Sequence, residues 1–221
     1  MRKETVEQKV YQLIKNAILT RQIAPGNQLF ENAIAAKVNA SRTPIRSAIT
    51  KLEAEGLVTV VPNKGAFIVQ PTIDEMIQAF ELRKVLEDMA IREGYAKMEA
   101  SDIERLKQQT EEMGKAFIEG NILLYHEQNK AFHLVMAKAS GNRYLIDFME
   151  QILNQITIYM VLYDVFRSND ENDIVEHNKV IQLLEANDEE SLHNVITNHL
   201  ENSLAKLQED KLNYQSLTTL F

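Results

Sequence analysis

No proline follows Pro71. Residues 72–221 contain none, whereas the first 71 residues contain four, at positions 25, 44, 62 and 71. Proline breaks or kinks helices, so a stretch this long without one can be helical to its end. Its apolar residues recur at helical spacing, which predicts helices near 73–98, 102–119, 121–139, 143–166, 171–186 and 188–209, with LNYQSLTTLF as a tail. Gly120-Asn121, Ser140-Gly141-Asn142 and Asn187-Asp188 mark the boundaries. Such a pattern is an all-α bundle of about six helices.

The first 70 residues follow a different plan. Val10, Leu13, Ile14, Ala17 and Ile18 form one helical stripe, which Pro25-Gly26 interrupts. A short helix over Glu31–Val38 turns Ile34, Ala35 and Val38 inward, and Asn39 can take the left-handed conformation that ends it. Ser41 is then placed to cap a third helix with Ile45, Ile49 and Leu52 on its core side and Gly56 at its end. GLVTVVPNKGAFIVQ reads as two β-branched runs around a Pro62–Gly65 turn. Three helices and a hairpin make a winged helix-turn-helix. The expected fold class is therefore mainly α. A winged helix-turn-helix spans 1–70 and an all-α helical bundle spans 71–221.

Charge separates the same two halves. Residues 1–70 carry ten Lys and Arg against five Asp and Glu, a net of +5. The remainder carries 14 against 27, a net of −13, within a total of −8. A basic head on an acidic body suggests an anion-binding module joined to one with another task. With no cysteine, disulfides and thiolate metal sites are excluded. No apolar run approaches the roughly 18 residues of a membrane span. These features suit a cytoplasmic protein with no membrane partner.

The head places its cations where a helix-turn-helix meets DNA. The N-terminal end of the second helix of that motif enters the major groove, and here it carries Ser41, Arg42, Thr43 and Arg46. The guanidinium fork of arginine matches guanine O6 and N7, and hydroxyls suit phosphates. Lys64 and Gly65, at the tip of the wing, would approach the adjacent backbone or minor groove. The stretch PGNQLFENAIAAKVNASRTPIRSAITKLEAEGLVTVVPNKGAFIV resembles the DNA-binding domain of GntR-type bacterial transcription regulators. The resemblance implies DNA contacts at Ser41, Arg42, Thr43 and Arg46, with Gly65 in the wing. Asn32 stands where some members place a DNA-contacting arginine, and Ser47 replaces the usual glutamate, departures that bear on which operator is read.

In the body, Asn129 and His133 are four residues apart on one helix, and His126 lies seven before His133, nearly on the same face. His177 and His199 fall on two later helices. Three imidazoles from three helices can converge on one divalent ion in a bundle core, or each can be a hydrogen-bonded or solvent-facing residue. LRKVLEDMAI, NKAFHLVMAKASGNRYL, EHNKVIQLLEANDEE and NHLENS resemble the FCD effector-binding domain of the FadR-like GntR subgroup, in its six-helix, VanR-like version. The resemblance implies metal ligands at Asn129, His133, His177 and His199, with Asn in place of the family's Asp. A neutral amide oxygen is a poorer ligand for Zn²⁺ or a similar ion. It also implies that Arg83 faces the effector cavity, able to fork onto a carboxylate; the alternative is a surface pair with Glu87. His126 and His193 read as surface residues.

These readings together describe a ligand-responsive transcription regulator, a repressor that binds a pseudo-palindromic DNA operator as a homodimer. A small organic acid would release it, with a divalent metal assisting. Residues 1–70 are the expected DNA-binding domain, and 71–221 the effector-binding and dimerisation domain. Two rivals remain: a metal sensor without an organic effector, and a histidine-based metalloenzyme, against which no general base stands beside the ligands.

Overall fold

The computed structural model describes residues 5–20, 22–163 and 170–213. The chain divides into two compact units, with the division between Pro71 and Thr72.

The first unit runs α1 (Val6–Leu19), β1 (Gln28–Leu29), α2 (Glu31–Val38), α3 (Arg42–Ala54), β2 (Val58–Val61) and β3 (Gly65–Ile68). Thr5 starts α1 through a reciprocal cap: its hydroxyl accepts from Gln8 N–H, and the Gln8 side chain accepts from Thr5 N–H. Val10, Ile14 and Ile18 of α1 are buried with Ile45, Ala48, Ile49 and Leu52 of α3. Leu13, expected on the α1 stripe, is exposed. It lies three residues after Val10 and one before Ile14, at the margin of a stripe narrower than the sequence suggested. Asn39 ends α2 in the left-handed conformation, with φ 50°. α2 itself has no fully buried residue, and Ile34, Ala35 and Val38 are half-buried. Ser41 occupies the N-cap position of α3, but its side chain makes no cap hydrogen bond.

The sheet has the order β1-β3-β2, with both pairings antiparallel. Val58 pairs with Ile68 and Val61 with Gly65 around the tip, where Asn63 has φ 62°. The two-residue strand β1 has no counterpart in the sequence reading. It is too short to show a period of two and is specified by its partner, through Gln28 opposite Phe67 and Leu29 opposite Ala66. Gln28 Nε2 also donates to the Lys64 carbonyl across 2.7 Å, tying the wing tip to β1.

The second unit comprises α4 (Ile73–Gly94), α5 (Ala100–Glu119), α6 (Ile122–Ser140), α7 (Arg143–Tyr163), α8 (Asp170–Ala186) and α9 (Glu189–Asn213). α4 begins on a Thr72–Glu75 reciprocal cap. It ends at Gly94 rather than near 98, and a 3₁₀ turn over Tyr95–Lys97 follows. A Cβ at position 94 would collide with the Met136 carbonyl, so glycine lets α4 approach the α6 backbone. α9 continues to Asn213 and so includes the first two residues of the expected tail. The remainder of that tail, and the expected helical residues 164–166, lie outside the described residues.

The core of this unit draws Ile91, Leu106, Phe132, Met136, Met149, Leu153, Val180, Leu184, Leu192 and Leu200 from all six helices. None of the described helices is long and apolar enough to cross a membrane. The architecture is mainly α, a winged helix-turn-helix unit followed by a helical one.

Candidate functional site

Polar groups have entered the core of the second unit. Arg83 is 1% exposed and His177 1%, with Glu87, His126, Asn129, His133 and His199 also buried. The helical spacing of α4 puts Arg83 and Glu87, at i and i+4, one turn apart on its inner face. α6 presents His126, Asn129 and His133 at i, i+3 and i+7, α8 presents His177, and α9 presents His199.

The three ring nitrogens of His133, His177 and His199 available as ligands lie within 4.8 Å of one another. Their ring centroids are 5.2 Å apart for His133–His177, 5.2 Å for His133–His199 and 5.1 Å for His177–His199. Phe132 stacks on His177 at 3.8 Å with planes 4° apart, which fixes the orientation of that ring.

Two carboxylates decide which nitrogens face inward. Glu87 sits 3.0 Å and 3.1 Å from His133 Nδ1 through its two oxygens, and Arg83 Nε donates to Glu87 Oε1 across 2.8 Å. Glu176 Oε2 lies 2.6 Å from His199 Nδ1 while its Oε1 accepts from Asn202 Nδ2. An ionised carboxylate only accepts, so His133 and His199 each carry the proton on Nδ1 and turn the Nε2 lone pair to the cluster. A carboxylate behind a ligating imidazole is the support that metal sites use.

The charge states follow from burial and partners. Burial opposes ionisation of Glu87, but His133 and Arg83 outweigh it and hold its carboxyl at about 2. Burial lowers His133 to about 4, against the pull of Glu87, and holds His177 well below its ordinary value, helped by His199 and His133. His133 and His177 are therefore neutral at pH 7, the state that binds metals.

Several buried polar atoms here have no hydrogen-bond partner: Arg83 Nη2, Asn129 Oδ1, His133 Nε2 and both nitrogens of His126 and of His177. Unmade bonds of this kind cost on the order of 1–3 kcal/mol each. Three neutral nitrogens, each on a different helix and two of them backed by carboxylates, fit a divalent ion of the zinc type. Asn129 adds a neutral oxygen, so the protein ligands would bring no charge of their own. Asp173 and Glu176 form a second group with His199 whose ligand atoms also lie within 4.8 Å of one another.

Asn129, His133, His177 and His199 are all buried together with Arg83. The Arg83–Glu87 pair forms, but in the core rather than at the surface. His126, read as a surface residue, is buried; its seven-residue spacing from His133 was the signal that it shares the inner face. His193 is partly exposed, with Nδ1 3.2 Å from Asp88. Glu87 and Glu176 were not read as parts of the centre, because nothing local marks a carboxylate whose partner lies on another helix.

In the first unit, Ser41, Arg42, Thr43, Arg46, Lys64 and Gly65 are all exposed. No acidic residue occupies the first turn of α3. The Arg46 side chain is 65% exposed and its Nε meets Glu31 Oε2 at 2.9 Å.

Residues 6–68 match the gntR family of bacterial regulatory proteins, and residues 78–202 match the FCD domain. Among curated relatives, the HTH-type transcriptional repressor RspR of Escherichia coli is 23% identical over 200 residues, covering 90% of this chain and 87% of its own. The HTH-type transcriptional regulator LutR of Bacillus subtilis is 30% identical over 156 residues, covering 63% and 68%. A solved structure of a GntR transcriptional regulator from Rhodococcus superposes with a TM-score of 0.74 at 19% identity, over 92% of this chain and 97% of that one. At that identity the likeness is one of fold. These proteins are transcription regulators and not enzymes, which removes the metalloenzyme reading. With a gntR-type head and an FCD domain over more than half its length, the chain belongs to the GntR family and is a DNA-binding transcription regulator.

Proposed function

We propose that the protein is a cytoplasmic, homodimeric repressor that binds a pseudo-palindromic operator and leaves it when a small carboxylate enters the second unit. The observation that carries this reading is the buried histidine cluster, in which His133 Nε2 and both nitrogens of His177 have no hydrogen-bond partner and converge with His199, beside a buried arginine whose Nη2 has no partner. Such a cluster is costly in a metal-free and ligand-free core and suits an anion held with a cation.

Asn129, His133, His177 and His199 would hold a divalent ion, which supplies positive charge for an anionic ligand. Glu87 and Glu176 keep His133 and His199 in the required tautomer. Arg83, its Nε fixed by Glu87, offers Nη2 to the ligand carboxylate. The surrounding core excludes water and so strengthens each of these contacts. Helices α4, α6, α8 and α9 all contribute a group, so a ligand that draws them together shifts the population of the second unit. The heads would then no longer match the operator half-sites.

On DNA, Arg42 and Arg46 would fork onto base edges, Ser41 and Thr43 would bond phosphates, and Lys64 and Gly65 would follow the neighbouring backbone. Dimerisation by residues 71–221 is supported by Leu82, Val85 and Met89, exposed at i, i+3 and i+7 along α4. That spacing makes an apolar seam of the kind helices pair through.

A second reading, a metal sensor without an organic effector, is favoured by the second ligand group at Asp173, Glu176 and His199. Native mass spectrometry with metal analysis of the purified protein tests the main reading. A dimer carrying a divalent ion and an acid of low mass is the expected species. A monomer with neither would contradict the reading, and DNA release by metal alone would favour the sensor.

A further inference from the structure

The polar face of α6 does not end at Asn129. One turn earlier, His126 is 4% exposed and neither of its ring nitrogens has a hydrogen-bond partner. Its ring stands edge-on to Tyr125, with centroids 5.4 Å apart. The charge that acts on it is that of the Asp173 carboxylate. That carboxylate is already engaged, accepting from Tyr125 Oη at 3.1 Å through Oδ2 and from Lys206 Nζ at 3.2 Å through Oδ1. His126 is therefore a buried imidazole with one N–H donor and one lone pair, both unused.

Neither the gntR-type head nor the three-histidine cluster accounts for this residue. Its ligand atoms do not belong to either candidate metal group. It lies seven residues before His133 on one face of a continuous helix, about 10 Å along the axis at 1.5 Å per residue. A ligand anchored by its carboxylate at Arg83 and the histidines would have to extend along that face to reach it.

We propose that His126 is a specificity-determining residue that hydrogen-bonds a hydroxyl on the distal part of the acid ligand. The effector class is then a hydroxy acid with the hydroxyl well removed from the carboxylate. This rests on the reading of the second unit as an acid-binding pocket and sharpens it. A hydroxyl offers one donor and up to two acceptor positions, the complement of a neutral imidazole. An apolar ligand end would leave both nitrogens unsatisfied, and a second carboxylate would meet the negative charge of Asp173. Burial lowers the imidazole to about 4, so it has no positive charge with which to offset that repulsion at neutral pH.

The test compares three carbon-matched probes, hexanoate, 6-hydroxyhexanoate and adipate, by isothermal titration of the full-length protein in the presence of zinc. Wild type should bind 6-hydroxyhexanoate roughly tenfold more tightly than hexanoate, the worth of one buried neutral hydrogen bond, and adipate least well. His126→Phe should abolish the preference, so that the hydroxy acid binds no more tightly than hexanoate. His126→Gln, which keeps a donor and an acceptor, should retain part of the preference.

Equal wild-type affinities for hexanoate and 6-hydroxyhexanoate would overturn the inference, whatever the variants do, and would mean that water alone satisfies His126. The acid-binding reading would survive that result. An undiminished preference in His126→Phe would also overturn it, by placing the hydroxyl contact elsewhere. If none of the probes binds wild type, with or without zinc, the acid-pocket reading itself fails at this ligand length and the inference falls with it.

Discussion

At Glu87 the charge of Arg83 meets the ring of His133, and the consequences can be worked out at the level of single side chains. Glu87→Gln keeps the shape but turns an acceptor into a donor on one side, so His133 loses the bond that sets its tautomer. Metal affinity should fall about 10- to 100-fold by isothermal titration, the usual effect of removing such a support. Unchanged affinity would separate Glu87 from the centre. Asn129→Asp should act in the opposite direction, because it restores a charged oxygen beside three neutral nitrogens. Acid should also unfold the metal-free protein. The carboxyl of Glu87 is depressed from 4.5 to about 2, so its contribution is full above pH 4.5 and lost as pH falls towards 2. His126 and His133 are depressed from 6.5 to about 4, so stability should already decline as pH falls below 6.5. Denaturant unfolding in a chelator at about pH 7 and about pH 5 checks this, and a midpoint that does not move would contradict the burial of neutral imidazoles. Much of this residue scale was visible beforehand: the spacing of Asn129 and His133 showed a shared face. The burial of His126 was not, since helical spacing tells which side a residue takes but not which side is covered.

Among the elements, α3 and α4 carry the clearest expectations. Arg42→Ala and Arg46→Ala should each weaken operator binding by about 1–3 kcal/mol if the arginine forks onto a guanine. Fluorescence anisotropy at several salt concentrations measures it, and wild-type affinity in both variants would remove α3 from the interface. Arg46 already meets Glu31 of α2, so a shared role of the pair in setting the guanidinium plane can be read from Glu31→Gln in the same assay. On α4, Val85→Glu puts a charge in the middle of the exposed Leu82–Met89 seam and should shift the protein to monomer in sedimentation. A variant that stays dimeric would place the dimer contact on another face. The helices were legible because their ends carry Gly120, Asn121, Gly141 and Asn187, residues that cap or stop a helix by their own backbone preferences. β1 was not, since two residues show no periodicity and their pairing with β3 is a tertiary matter. The end of α4 was missed for a related reason: Gly94 answers to the backbone of α6, which its own neighbours in sequence do not reveal.

The whole molecule joins a basic head to an acidic helical body, each compact by itself. If dimerisation belongs to the body, the isolated 1–70 fragment should be monomeric and bind a two-half-site operator poorly, because one winged helix makes a small interface. A dimeric fragment in sedimentation would overturn that division of labour. The coupling that would make this molecule a regulator is control of the head's grip on DNA by the buried histidine centre. It is tested most directly by fluorescence anisotropy of the full-length protein on an operator selected from random DNA, titrated with zinc and carboxylic acids. The wild type should lose at least about tenfold in DNA affinity, about 1.4 kcal/mol of coupling, when metal and a fitting acid are both present, and His177→Ala should keep its grip throughout. A His177→Ala protein that releases DNA as the wild type does would contradict the claim.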